Sequence, residues 1–317
     1  MEVNDPYRSP APGPLPESAG LPFGEGRRVP IGHGWWWLRD AWRIVGRNKA
    51  LWALALLVLA VLLSILGLVS LFIPLIGNLA LIVVAPVLCI GLFHIAHRRA
   101  AGQEFEFGDL FIGFSSKTGP LLMAGLAQMV LQVSYMMILF IVGISLLGSD
   151  LLHLFLAGFS LNENGLEAML MPDPGLSMMI KTMIIGLVAL ALAVPYLSAL
   201  LFQVPLVYFG DRQAFPALVE SLKVTLSNSL PLFWSGVLAM VVMSLFALAV
   251  GVAAMLIEAL FGYGLAGDLL LSLLFLLSLV VGLVLFSTGC VAVYVAFRDI
   301  FGQETEAVPA PRQQELW

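Results

Sequence analysis

Long uninterrupted apolar runs alternate with short mixed segments along the 317-residue chain. Six runs stand out: Leu51 to Phe72, Ile76 to Ala96, Pro120 to Leu147, Met178 to Phe209, Pro231 to Ile257 and Leu265 to Phe297. Each reaches the roughly 20 residues a helix needs to cross a bilayer core. An unpaired backbone group in hydrocarbon costs several kcal/mol, and these runs are too long for barrel strands. The pattern therefore predicts an all-α polytopic membrane bundle of six transmembrane helices. Several runs exceed the minimum, which allows tilting, kinking or extension beyond the lipid.

Three short amphipathic segments precede the odd-numbered spans: Trp35 to Lys49, Phe105 to Lys117 and Phe215 to Ser229. Aligning Lys49 with Pro120 and Pro231 also aligns Leu38, Asp109 and Glu220, and sets Trp52 opposite Met123 and Trp234. This is a weak threefold repeat whose unit is an interfacial helix followed by a membrane hairpin. In the first unit Trp35, Trp36, Trp37 and Trp42 are interspersed with Arg39, Arg43 and Arg47. Arginines four apart share one helix face, so such a helix lies flat at the headgroups, with indoles in the aromatic belt and guanidinium groups beside lipid phosphates. These seven residues are the candidate lipid interface. Pro120 and Pro231 suit a first helical turn, where a missing N–H costs no intrahelical bond.

Composition agrees: 60% of residues are hydrophobic and 11% charged, against about 45 to 50% and about 25% in soluble domains. Mean hydropathy is +1.00. Six helices place both termini on one side, and fourteen of the fifteen Lys and Arg fall there. Only Lys181 falls opposite. Positive residues mark the cytoplasmic side, so both termini and the loops after the second and fourth spans are expected inside. Gly148 to Ser177, with Asp150, Glu163, Glu167 and Asp173, then faces outward. In a bacterium this is a multi-pass inner-membrane protein. A net charge of −5 argues against nucleic acid, which needs a concentrated basic face. Residues 1–32 include seven prolines and no apolar segment; they are read as a disordered cytoplasmic tail without a signal peptide. Residues 33–302 form the membrane domain, and 303–317 a second disordered tail. The two cysteines, Cys89 and Cys290, sit inside apolar runs and give no disulfide or zinc framework.

Candidate chemistry within the spans is sparse. His94 and His97 share a helix face, but two ligands do not make a metal site. Gln128, Gln132, Tyr196 and Gln203 are amide and hydroxyl groups in apolar surroundings; they either bond between helices or line a cavity for a solute. Pro195 and Pro205 predict kinks in the fourth span; a discontinuous helix points to a transporter site where a related repeat breaks correspondingly, and without such a break the favoured reading is a kink that serves packing. Glu258 and Asp268 flank the last outward turn, and the span centres hold no acidic residue, which argues against a proton-coupled pump. Gly262, Gly264 and Gly267 spell a dinucleotide fingerprint without the strand it requires, in a turn between spans. No arrangement of nucleophile, base, paired carboxylates or metal ligands points to an enzyme, and no cofactor is implied.

Gly34, Trp35, Trp37, Leu38, Arg47, Asn48 and Trp52 at the start, Phe107, Asp109, Leu110, Phe111, Gly113 and Phe114 after the second span, and Phe297, Arg298, Asp299, Ile300 and Phe301 at the exit resemble a group of uncharacterised bacterial integral membrane proteins. That group is similar, more distantly, to the membrane domain fused to some glycerophosphodiester phosphodiesterases. The resemblance covers roughly residues 30 to 302 and implies a cytoplasmic-membrane protein without an assigned activity. The leading expectation is a non-enzymatic module that organises lipids or partner proteins at the cytoplasmic leaflet, anionic lipids being the candidates its arginines suit. The alternative is a permease for an amphipathic solute; an intramembrane enzyme ranks third.

Overall fold

The computed structural model describes residues 23–148, 176–262 and 264–302. Its helices are α1 (His33–Gly46), α2 (Lys49–Phe72), α3 (Pro74–Ala100), α4 (Ile112–Ser115), α5 (Thr118–Leu147), α6 (Leu176–Leu201), α7 (Gln203–Tyr208), α8 (Ala214–Ser227), α9 (Ser229–Phe261) and α10 (Leu265–Phe301), with a 3-10 turn over Phe107–Phe111 leading into α4. Six stretches are long and apolar enough to cross a membrane, namely α2, most of α3, α5, α6 joined to α7, α9 and α10. Among the described residues the β pairing is a single bridge between Phe23 and Gly302. The chain is an all-α, multi-pass integral membrane bundle. Asp150, Glu163, Glu167 and Asp173, expected to face outward, like residues 1–22 and 303–317, lie outside the described part.

Helix α3 is central, packing on α2, α5, α10 and α4. Neighbouring spans pack in the order α9, α10, α2, α3, α5 and α6, and α8 joins α6 to the start of α9. Close approach at α3 depends on missing side chains, as is usual between helices in lipid. A Cβ on Gly125 of α5 would stand 2.3 Å from the Val83 carbonyl oxygen, and one on Gly91 would stand 2.1 Å from that of Leu110.

The core lies at the end that carries the described termini and, Lys181 apart, all the described lysines and arginines; we refer to it as the basic end. There Phe202, Tyr294, Phe297 and Phe301 are fully buried and in ring contact with one another or with Phe209. Toward the other end the spans have little protein around them: in the most apolar window of α9 no residue is buried, against 44% in α3. Helix α10, with 37 residues, is about 55 Å long, beyond the ~30 Å of hydrocarbon even when tilted.

Each short helix packs at the basic end on a different hairpin. Helix α1 lies on α10 and α9, the 107–111 turn and α4 on α3, and α8 on α6 and α7. Residues 23–32, assigned to a tail by their composition, instead form a strap along the end of α10. Gly24 N donates to Phe301 O at 2.9 Å and Arg27 N to Ile300 O at 3.0 Å. Asn228 completes the hold, accepting from Val29 N at 2.9 Å and donating to Arg27 O at 3.0 Å. Residues 23–32 are thus docked on the bundle, by these backbone groups and by the Phe23 ring, which lies 4.9 Å from that of Phe297.

The fourth span breaks once. Pro195 sits inside a continuous α6, whereas α6 ends at Leu201 and α7 starts at Gln203. Proline clashes with the carbonyl four residues earlier, which for Pro205 is that of Leu201. Ser221 of α8 enters the gap: its hydroxyl donates to Ser198 O at 2.8 Å and accepts from Phe202 N at 3.0 Å. Those two groups would pair with each other in an unbroken helix, so the serine is inserted into the ladder.

Candidate interfacial site

Winding α1 at about 100° per residue puts Gly34, Trp37, Ala41 and Val45 on one stripe, and these are its buried residues. Gly34 lets α1 press on the start of α9, since a Cβ there would lie 2.5 Å from Pro231 O. Opposite that stripe lie Arg39, Arg43 and Arg47. Trp35, Trp36 and Trp42 are 54%, 50% and 43% exposed, high values for indoles. The Arg39 guanidinium stacks 3.8 Å from the Trp36 ring centre, and Lys49 Nζ lies 4.9 Å from that of Trp42. Asp40 stands between Arg39 and Arg43, at 3.6 and 3.3 Å. Three arginines against one carboxylate leave this face basic, with cation–π contacts holding the charges over the rings.

Trp37 does not belong to that face. It is 2% exposed, and its Nε1 donates to Asp299 Oδ2 at 2.8 Å. His33 Nδ1 shares the same oxygen at 2.7 Å, and Arg27 bonds the other through Nη2 at 3.1 Å. A buried indole N–H needs an acceptor, and the last turn of α10 supplies it. The small residues Gly34 and Ala41 beside Trp37 carry the sequence signal for this packing face. No local pattern marks the role of Asp299 in joining the strap, α1 and α10, which depends on partners 262 to 272 residues away.

The other two short segments also expose apolar stripes at the basic end. Phe107 and Phe114 are exposed around Phe111, and on α8 Phe215, Val219 and Leu226 are exposed along one side. The 107–111 turn is fixed to α3 by Arg98, whose Nη1 donates to both oxygens of the buried Asp109 carboxylate at 2.7 and 2.9 Å.

The residues read as a possible cavity bond to one another instead. Gln128 Nε2 donates to Gln203 Oε1 at 2.8 Å, and Gln203 Nε2 donates to Ala124 O and Ala214 O at 3.3 and 3.2 Å. Tyr196 donates to Gln132 and stacks on Tyr135. Gln203 is fully buried. The four make a polar seam joining α5 to α6 and α7, the arrangement amides adopt when the alternative is an unsatisfied group in an apolar site. His97 Nδ1 pairs with Tyr294 OH at 2.9 Å, and His94 Nδ1 with Tyr208 OH at 3.5 Å. Among the described residues no group of three His, Cys, Asp or Glu is placed to hold a metal. Gly262, at φ +62°, turns the chain between α9 and α10.

Residues 71–208, from the end of α2 through α7, match the model of a family described as predicted integral membrane protein (DUF2189). This stretch is similar to that family; it contains the Arg98–Asp109 pair and the glutamine seam and stops short of α8. No curated protein and no solved structure matches the chain.

Proposed function

We propose that the protein is a non-enzymatic module of a bacterial inner membrane that organises anionic lipids at the cytoplasmic leaflet. The basic end then faces the cytoplasm, because lysine and arginine are retained on that side. In this reading α1, the 107–114 segment and α8 are the interfacial helices of three repeated units, each dipping an apolar stripe into the headgroup layer. The observation that carries the proposal is the outer face of α1, where three half-exposed tryptophans stand beside Arg39, Arg43 and Arg47. Such a surface attracts anionic headgroups at about 1 kcal/mol per basic residue. The resemblance to the membrane domain fused to glycerophosphodiester phosphodiesterases agrees with a role among glycerolipids. The permease alternative drew its path from Gln128, Gln132, Tyr196 and Gln203, whose mutual bonding supports helix pairing instead.

The test replaces Arg39, Arg43 and Arg47 with glutamine and quantifies phosphatidylglycerol and cardiolipin copurifying with full-length protein in mild detergent. Anionic lipid per protein is expected to fall severalfold at unchanged total lipid. An unchanged anionic fraction would refute the proposal, as would labelled phospholipid crossing liposomes at a rate set by the wild-type protein.

A further inference from the structure

Beside α8, away from the α1 face, a groove of about 1000 Å³ runs from the basic end toward the spans. That is the upper end of the ~300–1,000 Å³ typical of small-ligand sites. Its inner wall is apolar, formed by Leu131, Ala199, Leu218 and Leu222. Leu131 lies thirteen residues into α5, about 20 Å from the helix start, so the wall reaches acyl-chain depth. The rim carries two cations, Arg212 and Lys223, and two carboxylates, Glu25 and Glu220.

Arg212 is only partly engaged by the acids: its Nε stands 3.3 Å from Glu220 Oε2 as an ion pair, but out of line for a hydrogen bond, and among the described residues that buried N–H has no hydrogen-bond acceptor. Guanidinium donors suit phosphate oxygens in two-pronged geometry. A free phosphate would use the cations and leave the acids and the apolar wall without a role. A purely anionic lipid would meet two carboxylates at the headgroup.

We propose that this groove binds a zwitterionic phospholipid of the phosphatidylethanolamine type. Its phosphate lies on Arg212 and Lys223, its ammonium faces Glu220 and Glu25, and one acyl chain lies along Leu222 and Leu131. The proposal shares with the preceding one only the placement of the basic end at a bilayer surface; its residues, its lipid class and its site are different.

The experiment places the full chain in liposomes of equal parts phosphatidylethanolamine and phosphatidylglycerol, with a trace of phosphatidylethanolamine bearing a diazirine on one acyl chain. After illumination, adducts are mapped by peptide mass spectrometry and normalised to those on α9. Adducts are expected to concentrate on α8 and around Leu131. The Arg212→Gln, Lys223→Gln double variant should lower them at least tenfold, since it removes both cations and one charge-assisted hydrogen bond alone carries about that factor. Leu222→Trp, which fills the wall and keeps every charge, should lower them as well. Adducts spread evenly over α6 and α9, or a yield indifferent to both variants, would overturn the proposal. Equal labelling by a phosphatidylglycerol probe would overturn the zwitterionic assignment. The Arg39, Arg43, Arg47 variant should leave groove labelling unchanged, which separates failure of this site from failure of the α1 surface.

Discussion

Replacing Ser221 with alanine tests whether the break in the fourth span is a built joint. Ser221 is 0% exposed, and its hydroxyl bridges Ser198 O at 2.8 Å and Phe202 N at 3.0 Å. Removing it frees one acceptor and one donor. Left unpaired, two buried groups cost about 1–3 kcal/mol each. If they close on each other, the loss falls toward the ~0.6 kcal/mol of an average interhelical bond in a membrane. Closure would require α6 to run straight into α7, and the Pro205 ring opposes that at the Leu201 carbonyl. The expected loss is therefore about 2–3 kcal/mol, from the lower part of the unpaired range. Reversible unfolding in mixed micelles of increasing dodecyl sulfate, followed by tryptophan fluorescence, measures it. Adding Pro205→Ala to Ser221→Ala removes the obstacle and should recover part of the loss. A Ser221→Ala protein within ~0.5 kcal/mol of wild type, the range of neutral substitutions, would refute the reasoning.

Two further outcomes follow from close contacts at the basic end. Gly91→Ala sets a Cβ 2.1 Å from the Leu110 backbone oxygen, where no flexible side chain can yield; it should cost about 1–3 kcal/mol, read as a lower unfolding temperature in fluorescence-detected gel filtration. Asp299→Ala leaves Trp37 Nε1 without its acceptor and removes the carboxylate that Arg27 Nη2 bonds; hydrogen exchange over residues 23–37 should quicken by at least tenfold, the consequence of about 1.4 kcal/mol, while exchange in α5 stays unchanged.

The spans were legible in the sequence because hydrocarbon imposes one rule on every residue of a crossing helix, so a single composition marks the whole segment. The polar contacts inside them were not. Gln128 and Gln203 are 75 residues apart, and nothing local says that each is the other's partner rather than the wall of a cavity. Trp37 was misplaced because three neighbouring tryptophans do face outward; the 3.6-residue period separating it from them was in the sequence, marked by Gly34 and Ala41. Pro195 and Pro205 look alike as letters. They differ in that α8 brings a serine to the ladder just ahead of Pro205, a contact fixed by tertiary packing. The strap was hidden by its proline and glycine content: much of its attachment runs through backbone groups, and its side-chain anchors, Phe23 and Arg27, meet Phe297 and Asp299 more than 270 residues away.

The Arg27–Asp299 clasp also bears on the order of assembly. The docking place of α1 is made by α9 and the final turn of α10, so the helix synthesised first has to wait for the helix synthesised last. Until then Trp37 lacks the Asp299 carboxylate that accepts from its indole, and of the strap's described backbone partners only Asn228 has been made. The N-terminal and C-terminal thirds are thus locked together late and in one event. A chain cut short before Asp299 would forfeit the seat of its own beginning as well as its end.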